Sequence, residues 1–203
     1  AIEVGIGMVA DLKEKGNNVL ATGEMGIGNT TTSSAVCSVL LDQSVEKVTG
    51  KGAGLTNKDL EHKIEVIRQS IALNKVNADD PLDVLAKVGG LDIAGMAGCY
   101  IGGAALNIPV FIDGFISSVA ALIAIRLVPE CAPYLFPSHC SNEPAGRMIL
   151  DAIGKQPYIF ANMCLGEGTG AVMGFTIADY AFKAYWELPS FEQTNFGTYE
   201  ELN

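Results

Sequence analysis

The feature that most constrains the fold of this chain is a glycine-rich turn built around one carboxylate. It has the sequence Thr22-Gly23-Glu24-Met25-Gly26-Ile27-Gly28-Asn29-Thr30-Thr31-Thr32. Three glycines in six residues allow left-handed backbone angles and bring main-chain N–H groups close to an anion. The hydroxyl-rich run that follows is typical of a helix N-terminus, where unpaired N–H groups favour a phosphate. The turn therefore predicts a strand followed by a helix, with an anion site between them.

A second loop near the C-terminus repeats this design. It has the sequence Leu165-Gly166-Glu167-Gly168-Thr169-Gly170-Ala171 and precedes an apolar helical pattern. Two glycine loops, each with one glutamate, indicate a polyanionic ligand with chemistry beside it. The alternative is that both loops are only tight turns between strands and helices.

The first loop is close to the phosphate-binding P-loop but differs from it at one position. Asn29 stands where that motif has the lysine that contacts the terminal phosphates. Because this lysine is missing and Glu24 adds a negative charge, a phosphate monoester is a better candidate ligand than a nucleoside triphosphate.

Composition and charge exclude several classes of protein. With 203 residues, 49% of them hydrophobic, the chain can bury a large core as one domain. The net charge of -10 argues against a nucleic-acid partner, which requires clustered Lys and Arg. The most apolar stretch, 108–128, contains Asp113 and Arg126 and is divided by Pro109 and Gly114, so we predict no membrane span.

The cysteines and histidines indicate a protein without disulfides or a metal centre. The five cysteines form no CxxC pair and are odd in number, which is typical of reduced thiols in the cytoplasm. His62 and His139 are too few and too far apart in sequence to form a metal cluster. We therefore expect a cytoplasmic protein with no metal and no cofactor.

Helical and strand patterns alternate along the chain. Strands are predicted over 18–22, 108–113 and 134–138, and helices over 3–15, 31–41, 57–73, from 81, and over 116–127, 143–153 and 171–186. The Gly- and Ala-rich segment 89–106 is predicted to be a tightly packed core helix. This order favours one α/β domain over 1–203 with a largely parallel sheet. Asp113 follows a predicted strand and either serves the functional edge of the sheet or caps the next helix.

Taken together, these motifs resemble the nicotinate-nucleotide:dimethylbenzimidazole phosphoribosyltransferase family. Both glutamate loops look like the signature loops of that family, and the resemblance extends over essentially the whole chain. Supporting matches occur in order at Gly52-Ala53-Gly54-Leu55, Lys63-Ile64, Asp80-Pro81-Leu82, Gly89-Gly90, Ala94-Gly95-Met96-Ala97-Gly98, Val110-Phe111-Ile112-Asp113-Gly114-Phe115 and Ser138-His139-Cys140-Ser141-Asn142-Glu143-Pro144. The resemblance implies a three-layer Rossmann-like domain, a mostly parallel sheet flanked by helices, and a homodimer.

The resemblance also implies a reaction and a catalytic base. Family members transfer the phosphoribosyl group of nicotinate mononucleotide to dimethylbenzimidazole, which gives α-ribazole 5′-phosphate for cobalamin assembly and needs no metal. The general base of the family corresponds to Glu167, which would take the benzimidazole N–H proton. We expect an apolar aromatic pocket around Glu167, because a carboxylate withdrawn from water is a stronger base. Glu24 would lie near the positive charge that develops on the ribose.

Substrate-binding roles follow from the same resemblance. Lys63 would neutralise the phosphate or pair with Glu24, although a solvated lysine on a helix face is an equal alternative. The residues expected to hold the substrate or its phosphate are Gly26, Gly28, Asn29, Thr30, Lys63, Gly166 and Gly168.

Two departures from the family pattern keep a second function open. The family arginine in the third glycine loop is Lys51 here, and the residues after Glu143-Pro144 also differ, so the acceptor base is undetermined. Family members are longer, and we expect this chain to lack their N-terminal segment, which supplies part of the base pocket. The alternative function is a non-catalytic module that binds a phosphate ligand, or a truncated subunit that needs a partner chain.

Overall fold

The computed structural model describes residues 1–194. The strands are β1 Leu20–Ala21, β2 Val110–Ile112 and β3 Leu135–Pro137. The helices are α1 Ile2–Glu14, α2 Asn29–Leu40, α3 Val45–Val48, α4 Asn57–Asn74, α5 Pro81–Val88, α6 Leu91–Ala105, α7 Phe115–Leu127, α8 Gly146–Ala152, α9 Thr169–Glu187 and α10 Phe191–Thr194, with a 3-10 helix at Pro129–Tyr134. None of the helices in this part of the chain has the length and apolar character needed to span a membrane.

The three strands form one parallel sheet in the order β1-β2-β3. This confirms the predicted α/β class and the predicted strands, each of which is shorter than its sequence pattern. Because all strands run the same way, the residues that follow them meet at one edge of the sheet. These residues are Thr22, Asp113 and Ser138, and the first glycine loop begins there.

The sheet has helices on both faces, as the three-layer prediction requires. Val110 and Ile112 of β2 join the main core, which α2 and α5 to α8 complete on one face. Side chains alternate along a strand, so Phe111 points to the opposite face. There its ring lies 5.6 Å from that of Phe136 and 4.8 Å from that of Phe175 in α9. Among residues 1–194, α9 is the main helix on this second face.

Helix α9 confirms the apolar helix predicted over 171–186 but is only partly buried. Tyr180, Phe182, Tyr185 and Trp186 are each more than 60% exposed, with values of 69, 64, 77 and 77%. An apolar cavity of about 700 Å³ lies between this helix and the sheet. The second face is therefore much less covered than the first.

Two other predicted segments show how small residues and prolines set the packing. The predicted core helix over 89–106 is α6, which packs against α1 with backbones in contact. A Cβ atom on Gly98 would lie 2.0 Å from the carbonyl oxygen of Ile2. The helix predicted over 143–153 begins only at Gly146. Glu143 and Pro144 instead form the loop that turns toward the carboxyl edge of the sheet.

Candidate active site

The two glutamate loops meet at the carboxyl edge of the sheet. The backbone N–H of Glu167 donates a hydrogen bond of 2.9 Å to the carbonyl oxygen of Glu24. The loops approach so closely that a Cβ atom on Gly23 would lie 2.4 Å from the backbone nitrogen of Gly168. Because no real Cβ atom tolerates that distance, the contact requires glycine at position 23. The two loops therefore form one site.

A cavity of about 100 Å³ lies beside this contact. Its walls include four of the predicted site residues, namely Glu24, Gly26, Thr30 and Gly166. Met25 and Leu165 also line the cavity and are 68% and 66% exposed, so its rim is apolar and open to solvent.

The first loop fixes the orientation of the Glu24 carboxylate. Oε2 of Glu24 accepts a 2.7 Å hydrogen bond from the backbone N–H of Gly26 and another from Nδ2 of Asn29. The same Nδ2 donates to Oδ2 of Asp92 at 2.8 Å. Both hydrogen bonds of the Asn29 amide nitrogen thus go to carboxylates of the protein, which leaves it unavailable to a phosphate. Sequence reasoning overlooked Asp92, because nothing in its pattern marks a partner so distant in the chain.

Helix α2 presents an open N-terminus to the cavity. Its N-cap Gly28 has φ 85°, no side chain caps the helix, and its first turn contains no acidic residue. The first N–H groups of α2, with the partial positive charge of the helix N-terminus, are therefore suited to bind an anion. Thr30 lies in this first turn and lines the cavity.

The N-terminus of α9 is already occupied by the carboxylate of Asp113. Oδ2 of Asp113 accepts from the N–H of Gly168 at 2.9 Å, and Oδ1 accepts from Gly170 at 2.8 Å and Ala171 at 3.3 Å. Asp113 is only 2% exposed. It therefore caps α9, which is distant in sequence, and not the adjacent α7, whose N-cap is Gly114. The N–H of Gly168 is engaged by this carboxylate and is not available to a phosphate.

Glu167 lies at the rim of the site and is exposed. Its backbone is left-handed, with φ 58°, and its side chain is not part of the cavity wall. The expected apolar enclosure of Glu167 is therefore not formed by residues 1–194.

Lys63 is a buried residue of the site, so the solvated-lysine interpretation is wrong. It is 7% exposed, and its Nζ donates to Oγ1 of Thr30 at 2.9 Å and to the carbonyl oxygen of Gly50 at 3.0 Å. Burial lowers the pKa of Lys63, and the nearby charge of Glu143 partly opposes this shift. Lys63 thus contacts the side chain of Thr30, and the carboxylate whose charge affects the pKa of Lys63 is that of Glu143. The Glu24 carboxylate instead accepts a hydrogen bond from Asn29.

The segment after β3 contributes site residues that sequence reasoning overlooked. His139, Ser141 and Glu143 all line the cavity. His139 is 2% exposed, and burial lowers its pKa while Asp113 opposes the shift. The available signal was the run of polar residues directly after a predicted strand, the same signal that drew attention to Asp113.

Comparisons with known proteins show the family of this chain. A family model described as Phosphoribosyltransferase matches residues 1–196. The nicotinate-nucleotide--dimethylbenzimidazole phosphoribosyltransferase of Ruminiclostridium cellulolyticum is 54% identical over 202 residues, which is 100% of this chain and 57% of the relative. The protein of the same name from Acetivibrio thermocellus is 50% identical over 200 residues, 98% of this chain and 57% of the relative. The chain thus spans 57% of the length of these relatives.

A solved structure extends the similarity to the fold. The crystal structure of CobT from Thermus thermophilus superimposes with a TM-score of 0.88 and 32% sequence identity. The match covers 95% of this chain and 57% of that chain.

Proposed function

Because the chain belongs to the nicotinate-nucleotide:dimethylbenzimidazole phosphoribosyltransferase family, we propose that it catalyses phosphoribosyl transfer. The donor is nicotinate mononucleotide, the acceptor is dimethylbenzimidazole or a related base, and the products are α-ribazole 5′-phosphate and nicotinate. The observation that carries this proposal is the 2.9 Å hydrogen bond between the two glutamate loops beside one cavity. Because the two loops are in contact, one ligand can bind to the candidate phosphate site and also contact the candidate base.

In the proposed complex, the donor binds to the first loop. Its phosphate lies at the open N-terminus of α2 beside Thr30, and the buried charge of Lys63 behind Thr30 favours the anion. Gly26 and Gly28 allow the loop to pass close to the phosphate. The carboxylate of Glu24, held by its own loop, then faces the ribose.

The transfer is a displacement at the anomeric carbon of the ribose. One benzimidazole nitrogen attacks this carbon from the face opposite the pyridinium, so the β linkage becomes an α linkage. The broken C–N bond returns its electron pair to the pyridine nitrogen of nicotinate, and Glu167 takes the proton from the other benzimidazole nitrogen. The negative charge of Glu24 stabilises the positive charge that develops on the ribose. The exposed side chains of Met25 and Leu165 offer apolar contact to the acceptor ring.

One variant tests the role of the base. We expect Glu167→Gln in the 203-residue chain to lower turnover by about 10²–10⁴-fold, the usual contribution of general base catalysis. Binding of nicotinate mononucleotide, measured by calorimetry, should stay close to that of the parent chain. Glu61→Gln, on the exposed face of α4, is the matched control and should leave both quantities unchanged. Equal turnover of Glu167→Gln and the parent would refute the base assignment.

A second candidate function is favoured by the exposure of Glu167. The chain would then be a non-catalytic phosphate-ligand-binding module, or a subunit whose base pocket needs a partner chain. The two functions are separated by incubating the chain with nicotinate mononucleotide and dimethylbenzimidazole. Formation of ribazole phosphate supports the transferase, whereas nucleotide binding without product supports the second function.

We also propose that the chain acts in the cytoplasm as a homodimer, without a nucleic-acid partner. Its five cysteines are all free, which suits a reducing compartment. Self-association would cover apolar side chains of α9 such as Tyr185 and Trp186, which are each 77% exposed. Light scattering coupled to size-exclusion chromatography tests the dimer, and a mass equal to one chain at all concentrations would contradict it.

A further inference from the structure

Glu143 is a carboxylate in the cavity wall that has no hydrogen-bond donor of its own. It lies in the loop between β3 and α8, and no residue of the range 1–194 donates a hydrogen bond to its side chain. Burial raises the pKa of Glu143, and the charge of Lys63 opposes that shift. A partly buried acceptor without a protein donor takes its hydrogen bonds from water or from a ligand, so this carboxylate is free to accept from a bound ligand.

The backbone around Glu143 is shaped to receive this side chain. A Cβ atom on Gly50 would lie 2.0 Å from Oε2 of Glu143 and 2.7 Å from Cδ of Pro144. The carboxylate therefore occupies the space that a side chain at position 50 would take. Lys63 stabilises the position of Gly50, because its Nζ donates a hydrogen bond to the carbonyl oxygen of Gly50 at 3.0 Å.

The same lysine contacts the proposed phosphate site. Its second hydrogen bond, of 2.9 Å, goes to Oγ1 of Thr30 in the first turn of α2. Glu143 and Thr30 thus line one cavity, and the charge of the buried Lys63 ammonium acts on Glu143 while its Nζ donates to Thr30. A ligand whose anionic end lies at Thr30 places its next chemical groups within this cavity, where the Glu143 carboxylate can accept hydrogen bonds from them.

The ligand group that suits Glu143 must donate hydrogen bonds and must not be an anion. An ionised carboxylate is only an acceptor, and it repels a phosphate. Hydroxyl groups meet both conditions, and a carboxylate that binds ribose hydroxyls is a known solution in nucleotide-binding folds. We infer that Glu143 is a specificity-determining residue that binds one or both of the hydroxyls at C2 and C3 of the ribose of the donor. The inference rests on the proposed function only in taking a ribosyl monophosphate as the ligand.

Sugar phosphates test this inference without any catalytic step. Calorimetry on the 203-residue chain would compare ribose 5-phosphate, 2-deoxyribose 5-phosphate and 3-deoxyribose 5-phosphate. At least one deoxy sugar should bind about tenfold more weakly than ribose 5-phosphate, which corresponds to about 1.4 kcal/mol. Equal affinities for all three sugars would overturn the inference.

Variants assign the discrimination to Glu143. Glu143→Ala should remove most of the difference between the sugars, while inorganic phosphate binds at least as well as to the parent because a negative charge has been removed. Glu143→Gln keeps one acceptor and the shape of the side chain, so it should retain only part of the difference. Glu61→Gln, on the exposed face of α4, should retain all of it.

The outcomes also separate this inference from the proposed function. Discrimination that persists in full in a folded Glu143→Ala chain would overturn the role of Glu143. If the alanine variant does not fold, full discrimination in Glu143→Gln overturns it equally. Normal sugar discrimination in a chain that forms no ribazole phosphate would leave the inference standing and defeat the transferase proposal. Normal formation of ribazole phosphate without discrimination between the sugars would overturn the inference and leave the transferase proposal standing.

Discussion

Replacing Asp113 should loosen the loop that carries Glu167. The carboxylate accepts three backbone hydrogen bonds from the first turn of α9, at 2.9, 2.8 and 3.3 Å. Each hydrogen bond to a buried charged group contributes roughly 1.5–3 kcal/mol. Counting the two short bonds at the lower value, and adding a fraction for the long bond, we expect Asp113→Ala to lower the free energy of unfolding by about 3–4 kcal/mol.

The isosteric variant gives a graded result. Asp113→Asn keeps one acceptor oxygen for Gly170 and Ala171 but turns an amide N–H₂ group toward the N–H of Gly168. It also removes the negative charge that favours a helix N-terminus, a contribution of roughly 0.3–2 kcal/mol. We therefore expect a loss of about 2 kcal/mol, intermediate between the parent and the alanine variant.

Two measurements follow the loss of this cap. Urea denaturation gives the free energy of unfolding, and amide hydrogen exchange reports directly on the N–H groups of Gly168, Gly170 and Ala171, which should lose protection first in both variants.

The control is Asp80→Ala. Asp80 is an exposed N-cap that accepts local hydrogen bonds of 2.9 and 3.3 Å from Leu82 and Asp83. Its removal should cost only about 1 kcal/mol and should leave the amides of α9 protected. The capping role of Asp113 is refuted if Asp113→Ala is no more destabilising than Asp80→Ala, or if the three amides of α9 exchange as in the parent.

The remaining predictions concern the contact between the loops and the pH dependence of stability. Gly23→Ala should separate the loops and lower both stability and turnover, because its Cβ would lie 2.4 Å from the Gly168 nitrogen. Gly7→Ala, with open space around its Cβ, should instead stabilise α1 by roughly 0.5–1 kcal/mol. Burial raises the pKa of Glu143 above 4.5. The folded chain therefore binds this proton more tightly than the unfolded chain, and the contribution of Glu143 to stability falls as pH rises from about 4.5 through the folded pKa.

Each of these predictions has a direct readout. For the glycines, thermal unfolding of both variants should shift in opposite directions, and a common shift would contradict the loop geometry. For Glu143, urea unfolding is compared between the parent chain and Glu143→Gln, whose side chain does not titrate. The difference in unfolding free energy should move in favour of the variant as pH rises. A difference that stays constant with pH would show that Glu143 titrates alike in both states.

Several properties could be predicted from the sequence because they depend on local chemistry. The strand pattern over 108–113 and the glycine loop after 18–22 were sufficient to predict parallel strands with a site at their carboxyl ends. The spacing of glycines around Glu24 and Glu167 was sufficient to predict two related loops. These features depend on residues that are close together in the sequence, so the pattern of a single segment is enough to predict them.

Other properties were decided only when distant segments came together. The sequence offered two local roles for Asp113, yet its carboxylate caps α9, more than fifty residues away. Lys63 has the pattern of a helix-surface lysine, but the approach of Thr30 and Gly50 buries it. The apolar enclosure expected for Glu167 is not built by residues 1–194, because burial depends on which segment packs above a side chain. The sequence by itself thus determined the order of elements and the two glycine loops, whereas the tertiary structure decided which charges are buried and what each of them contacts.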